Sequence, residues 1–405
     1  MRTNLSRLFL NLGAVLEYYD YLIFIFLAKI LIGIFFPSIE QGNFTINFLF
    51  FTLGSAVKII GGLGFGYLSD IFGRKKVILF MSILMAFSTI AMGLMPYNLD
   101  VKLYIVLFFI LRILQALSFG GEIPCATTFA YELEDDTKKS SRISHIFSAA
   151  AVGSIIATSI LSFLTFSLDM NQVNAWGWRI PFLVGGVLGI LSFFLRKSLP
   201  ETLMQGAAQN NLREILTVSK SHIKDIGMLL AVLLFPATMI SVNLYFPIYV
   251  SQHFNFELDK IYFSQSISLL VSALLAFIAG IFSDKKLVRT IYMVLLVVFL
   301  CVQPILIKLL TIHTVESLIG FMVLWQCFIT PSIVFAMFLI LETLPMKIRA
   351  TANGLIYNLA FFTASFVPIV FNKFYSAYAD PYVLFMIIGM IAGVSFEATR
   401  RIMPK

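Results

Sequence analysis

Glu17 and Asp20 stand three residues apart inside an apolar run from about Leu8 to Phe36, with Tyr18, Tyr19 and Tyr21 around them. At that spacing both carboxyls share one face of a helix. A second set lies in another apolar run. There Arg112, Gln115, Ser118, Phe119 and Glu122 fall at offsets of 0, 3, 6, 7 and 10. The spacing puts Arg112, Gln115, Phe119 and Glu122 on one helical stripe. Charged groups in hydrocarbon cost several kcal/mol unless they face a cavity or a partner. A planar guanidinium grips a carboxylate through two parallel N–H···O bonds. A carboxyl, in turn, can take up and release a proton. A stripe carrying Arg, Gln and Glu on an otherwise apolar helix must therefore point into a wet or polar interior, where these groups serve either function or structure. The competing account is a neutralising lattice, with Arg112 paired to Glu17 or Asp20 and no solute involved. For Glu17, close to one end of its run, packing or gating explains the residue as well as binding does.

The elements that must carry these residues follow from composition. Hydrophobic residues make up 59% of the 405 and charged residues 12%, against about 25% charged in a soluble domain. Such a chain cannot cover a water-facing surface of its size, so its solvent is lipid. Twelve apolar runs are long enough to cross a bilayer: 8–36, 44–68, 76–95, 101–130, 143–168, 179–196, 226–251, 262–283, 288–310, 315–343, 349–373 and 381–399. The expected class is an all-α membrane protein of twelve transmembrane helices. The first run is too long, and too interrupted by acids, for a cleaved signal core. Cys125, Cys301 and Cys327 lie in apolar runs without metal-ligand spacing and read as small hydrophobes. His145, His222, His253 and His313 are scattered singly. No metal, cofactor or nucleotide motif is expected, and the chain does not read as an enzyme.

The net charge of +8 does not form a nucleic-acid patch, because basic residues alternate with apolar spans. With the N-terminus inside, 21 of the 29 Lys and Arg fall at one face and four (Lys102, Lys260, Lys308 and Lys373) at the other. That bias predicts cytoplasmic termini. Lys29, Lys58, Arg112 and Arg179 lie within or at the edge of spans. The longest polar stretch, 197–225, divides residues 1–196 from 226–405 into two six-helix halves. Gly62–Lys76 after span 2 is echoed by Gly280–Lys286 after span 8, each with Ser-Asp and a basic pair. A two-half repeat of this kind is a frequent plan for carriers.

The loop after span 2 reads G-x-x-x-G-x-x-x-D-x-x-G-R-K, from Gly62 and Gly66 through Asp70 and Gly73 to Arg74. Glycines one turn apart allow two helices close approach, and Gly73 permits a tight bend. Weaker polar candidates lie in later spans. They are Asn243, Tyr245 and Tyr249 around Pro247, Trp325, Gln326 and Thr330 before Pro331, and Asn353, Tyr357 and Asn358. Singly, each is more often interhelical glue than a ligand.

The span 2–3 loop resembles the signature loop of the major facilitator superfamily of solute transporters. Four further motifs resemble its metabolite:proton symporter branch, which includes proline/betaine, alpha-ketoglutarate, citrate and shikimate transporters. They are Gly13-Ala-Val-Leu-Glu-Tyr-Tyr-Asp-Tyr21; Arg112-Ile-Leu-Gln-Ala-Leu-Ser-Phe-Gly-Gly-Glu122, followed by Tyr131-Glu132 and Arg142; Trp178-Arg-Ile-Pro-Phe182 with Pro200-Glu-Thr202; and Glu342-Thr-Leu-Pro-Met-Lys-Ile-Arg349. Tyr18 and Ala116 depart from the branch's usual Trp and Gly.

The resemblance implies a twelve-helix carrier with spans 1, 4, 7 and 10 around a central site. It implies proton-coupled uptake of a small organic acid or zwitterion by alternating access. Arg112, Gln115, Tyr21, Asn243, Tyr245 and Gln326 are then the expected solute contacts. Glu122, Asp20 and Glu17 are the expected proton carriers. Gly62, Gly66, Asp70, Gly73, Arg74, Glu132 and Arg142 form a conformational latch, in which Asp70 caps span 11 and Arg74 pairs with Glu132. An exporter or uniporter of the same fold, or a transporter-like solute sensor, is the alternative. With no long C-terminal extension, an osmosensor is not expected. The expected partners are solute, protons and lipid, with the chain a monomer in a bacterial-type inner membrane.

Overall fold

The computed structural model describes residues 9–20, 22, 23, 27, 31, 44–96, 101–133, 138–201, 212–253, 256, 258–282, 284–312, 314–378 and 382–402. Helix α1 occupies 9–20 and is helical again at 22, 23, 27 and 31. Then come α2 (Phe44–Phe72), α3 (Arg74–Gly93), α4 (Val101–Glu132), α5 (Lys139–Ser167) and α6 (Arg179–Arg196). After the linker follow α7 (Ile223–His253), α8 (Leu258–Ala279), α9 (Lys285–Thr311), α10 (Val315–Thr343), α11 (Arg349–Ala364) and α12 (Tyr382–Arg401). A π segment, Val173–Gly177, leads into α6, and Val367–Tyr378 carries α11 onward past a break. A short helix, Leu212–Ser221, lies in the linker.

Among the described residues no strand occurs. Nine helices among them are long and apolar enough to span a membrane, and Phe263–Ala279 within α8 is a shorter apolar helix. The molecule is an all-α membrane protein of twelve spanning helices, with α1, described in part, and α2 as the other two. Its outer surface is apolar, with Phe163, Phe166, Val187, Leu274 and Met386 all standing exposed. Helices satisfy their own backbone polar groups, which is why lipid tolerates them. Lys139, Arg142, Lys285 and Lys286, which read as loop residues, form first turns of α5 and α9. The helices simply run on past the apolar runs.

Small residues decide which helices touch. α2 packs along α11 and α8 along α5. A Cβ on Gly62 would stand 2.6 Å from the Gly354 carbonyl, and one on Gly66 2.6 Å from that of Ala350. The second pair repeats the arrangement, since a Cβ on Gly280 would stand 2.6 Å from Ser144 Cβ of α5. Two of the buried apolar clusters are built from the first 200 residues, one around Phe129 and one around Phe182 and Trp178. The largest is centred on α7–α12 and includes Trp325, Phe299 and Phe335.

Candidate functional site

Two buried polar networks cross the first six helices. The first closes the face where α2 meets α11. Gly73 has φ 104°, a left-handed conformation suited to glycine, and a Cβ there would lie 2.8 Å from Glu201 Cδ. Glu201 accepts from the amides of Arg74 (2.8 Å) and Lys75 (3.3 Å), so its carboxylate caps α3. Asp70 accepts from the amides of Ala350 (3.3 Å) and Thr351 (2.8 Å) and from Thr351 Oγ1 (2.5 Å). These are orphan donors at the start of α11. Arg74 is fully buried and donates to Asp70 (2.6 Å) and through Nε to Glu132 (3.1 Å). Arg349 also reaches Glu132 (3.1 Å), so two cations meet two carboxylates and the cluster is neutral. Tyr131 donates to Glu342, and the guanidinium of Arg349 lies 4.9 Å from the Tyr131 ring. Arg142 is half-buried on the first turn of α5. In the second loop Asp284 does not repeat Asp70; it caps its own helix, accepting from Leu287 N at 2.7 Å.

Asn353 and Asn358 tie α11 to α4 just beside this latch. Asn353 donates to the Pro124 carbonyl (3.0 Å), and Asn358 donates to that of Gly120 (2.7 Å). They are interhelical glue.

The second network climbs through α1, α3, α4 and α6 in two rungs. At the upper rung Gln115 donates to Asp20 Oδ2 (2.6 Å) and to Thr89 Oγ1 (3.0 Å), and Thr89 donates to the same carboxylate oxygen (2.8 Å). Arg112 donates to Gln115 Oε1, so Arg112, Gln115 and Asp20 form one chain. Lys58 of α2 is buried beside them with its ammonium 4.7 Å from the Phe119 ring centroid. At the lower rung Arg196 of α6, fully buried, donates to Glu17, to Glu122 and to Ser82 Oγ (2.8 Å). The stripe on α4 thus serves two centres. Glu122 pairs with Arg196, beside Glu17, while Arg112 donates to Gln115.

Sequence reasoning missed Arg196. It was counted among the linker cations that set orientation, yet it is an intramembrane partner. A usable signal existed, since Glu122 had no assigned cation and Glu17 and Asp20 had only Arg112 between them. Ser82 and Thr89, small polar residues seven apart on α3, carried no signal by themselves.

The remaining expected solute contacts are spread more widely. Tyr21 lies outside the described residues. Asn243 is half-buried on α7, and Tyr245 of the same helix donates to Asn372 Oδ1 (3.2 Å). Gln326 of α10 is buried and accepts from Thr330 (3.4 Å), which in turn meets Ser272 of α8 at 2.8 Å. Around them Tyr245, Tyr249, Phe246, Phe321 and Trp325 form an aromatic cluster; Phe246 and Phe321 stack at 4.6 Å.

A bundle of twelve spanning helices, with buried carboxyl and guanidinium groups paired between them, is the architecture of a solute carrier. The chain belongs to the Major Facilitator Superfamily, whose family model matches residues 21–368. It is 32% identical over 251 residues to a putative proline/betaine transporter of Staphylococcus haemolyticus strain JCSC1435, covering 60% of this chain and 53% of that protein. The chain thus spans about half the length of that relative. The proline/betaine transporter of Salmonella typhimurium strain LT2 is 26% identical over 96% of this chain and 82% of its own length. Among solved structures, the proton:xylose symporter XylE bound to 6-bromo-6-deoxy-D-glucose superposes with a TM-score of 0.78. The match covers 99% of this chain and 96% of that one at 19% identity, a likeness of fold. Relatives named as proline/betaine transporters agree with the branch that the motifs resemble.

Proposed function

We propose that this transporter takes up a small organic acid or zwitterion together with protons, by alternating access between residues 1–196 and 226–405. The observation that carries the reading is the chain from half-buried Arg112 through buried Gln115 to buried Asp20. It couples a guanidinium suited to a solute carboxylate with a carboxyl suited to a proton. A solute carboxylate that draws Arg112 away loosens the hold of Gln115 on Asp20, so occupancy of one changes the protonation of the other. Tyr245 and Gln326, with Asn243, supply hydrogen-bonding groups on the facing helices α7 and α10. The latch face is the cytoplasmic one in this reading, from the bias of basic residues. With Asp70, Arg74, Glu132 and Arg349 engaged, the carrier is closed on that side. The names of the relatives support betaine or proline as the solute class.

The test is uptake into proteoliposomes, with and without an imposed proton gradient, of glycine betaine, proline and mono-, di- and tricarboxylates. One of these solutes should accumulate only when the gradient is present. Gradient-independent equilibration of a solute would make the protein a uniporter. In the same assay Asp20→Asn should keep solute exchange between loaded faces and lose uphill accumulation.

A further inference from the structure

Asp20, Glu17 and Glu122 line one small cavity, with Ser82, Met85 and Thr89 of α3 on its wall. Its volume is ≈ 20 Å³, room for about one water molecule. Each carboxyl uses one oxygen for the bonds described above. The other three oxygens, Asp20 Oδ1, Glu17 Oε2 and Glu122 Oε2, are buried without a hydrogen-bond partner. All three residues are at most 3% exposed.

Charge sets this cluster apart from the latch. At the latch two cations answer two carboxylates, whereas at the lower rung Arg196 alone answers Glu17 and Glu122. One uncompensated negative charge is left, and a buried lone charge costs several kcal/mol. A proton shared by the two carboxyls removes it. Missing side chains hold this geometry open. A Cβ on Gly13 would coincide with the Arg196 guanidinium, and one on Gly185 would stand 3.0 Å from Asp20 Oδ1.

We propose that one water in this cavity relays the coupling proton from Asp20 to a shared site on Glu17 and Glu122, so that the proton and the solute follow separate paths. This rests on the symport reading above. In the step, Asp20 Oδ1–H gives its proton to the water. The water passes one of its own protons to Glu17 Oε2 or Glu122 Oε2. Asp20 becomes a carboxylate, the pair with Arg196 becomes neutral, and the water is regenerated. Glu17 and Asp20 stand three residues apart on α1, about 4.5 Å of helix axis, a span that one water bridges. The transfer moves the proton that far toward the latch face.

Other titratable groups surround the route on the neighbouring helices. Tyr19 and Arg112 neighbour Asp20, with Lys58 of α2 beyond Arg112. Tyr18 neighbours Glu17, and Cys125 of α4 neighbours Glu122. α5 packs on α1 through Gly153 and carries its titratable side chains only at Lys139, Arg142 and His145, near its start.

The experiment is infrared difference spectroscopy of the purified protein in lipid nanodiscs, titrated with acid and base and without solute. Two exchangeable carboxylic-acid bands are expected. Asp20→Asn should remove one. The other should vanish in Glu17→Gln and equally in Glu122→Gln, since either leaves one carboxylate for one guanidinium. A band that survives either glutamine variant overturns the shared site. A pH jump on Gly185→Ala, which fills the space at Asp20 Oδ1, should slow the rise of the shared band at least tenfold with the same end point. An unchanged rate overturns the water relay. If that variant does not fold, the solvent-isotope effect on the wild-type rise decides: a deuterium effect is expected, and its absence rejects the relay. Uptake without gradient dependence alongside both bands would sink the symport reading alone. Gradient-driven uptake without a shared band would sink the relay alone.

Discussion

Among the described residues Arg74 and Arg196 are the two wholly buried arginines, and each is held between two carboxylates. Removing one partner of a buried ion pair costs about 3–5 kcal/mol when the other charge is left behind. Asp70 is the exposed point of this logic, because it also satisfies the first amides of α11. Asp70→Asn keeps an acceptor oxygen but loses the charge facing Arg74. The expected result is a fall in initial uptake rate of tenfold or more at matched protein in the membrane, since the latch would no longer favour the closed face. Normal uptake would remove Asp70 from the latch. Arg112 sits differently, because it donates to a neutral amide, Gln115. Arg112→Ala should weaken binding of a carboxylated solute by about tenfold to a hundredfold, the worth of a charge-assisted bond. Arg112→Lys should recover only part of this, for it keeps the charge without the planar fork. Isothermal titration with the solute found by the uptake panel would measure both; unaltered binding in Arg112→Ala would exclude it from the site.

Between elements, α2 and α11 meet through backbone, and this contact must part if the face that carries Asp70 and Arg74 is to open. Gly62 faces both Gly354 and the Asn358 side chain, and no side chain fits there. Gly62→Leu should therefore hold the two helices apart and shift the carrier toward the state open on the latch face. Spin labels on Lys76→Cys and Lys347→Cys, both exposed positions, should report longer distances in this variant than in the parent. An identical distance distribution would show that α2 and α11 do not control the face. Much of this element was legible in the residue pattern. Gly62, Gly66, Asp70, Gly73 and Arg74 carry their geometry in their types, since each acts on neighbouring backbone or on a loop of fixed length. The lower rung was not legible, because Glu17, Ser82, Glu122 and Arg196 come from four helices. Only packing says that a last-turn arginine folds inward. The degraded second loop misled in part: Gly280 keeps its packing role against α5, while Asp284 turns to its own helix.

For the whole molecule, the twelve spans follow from apolar length, but orientation depends on charges counted at their ends. Arg74 and Arg196 entered that count as loop cations, and both are buried partners of carboxylates. Setting both aside lowers the basic face from 21 to 19 against four, so the bias survives its correction. The orientation matters to the mechanism, because it fixes the side to which the lower rung delivers its proton. It can be read with single cysteines in a background without Cys125, Cys301 and Cys327. A cysteine at Gln41, between spans 1 and 2, should react with an impermeant thiol reagent added outside intact cells. One at Gln209, in the linker, should react only after the membrane is permeabilised. The reverse pattern would invert the molecule, place the latch outside, and turn the proposed uptake cycle into one that closes toward the exterior.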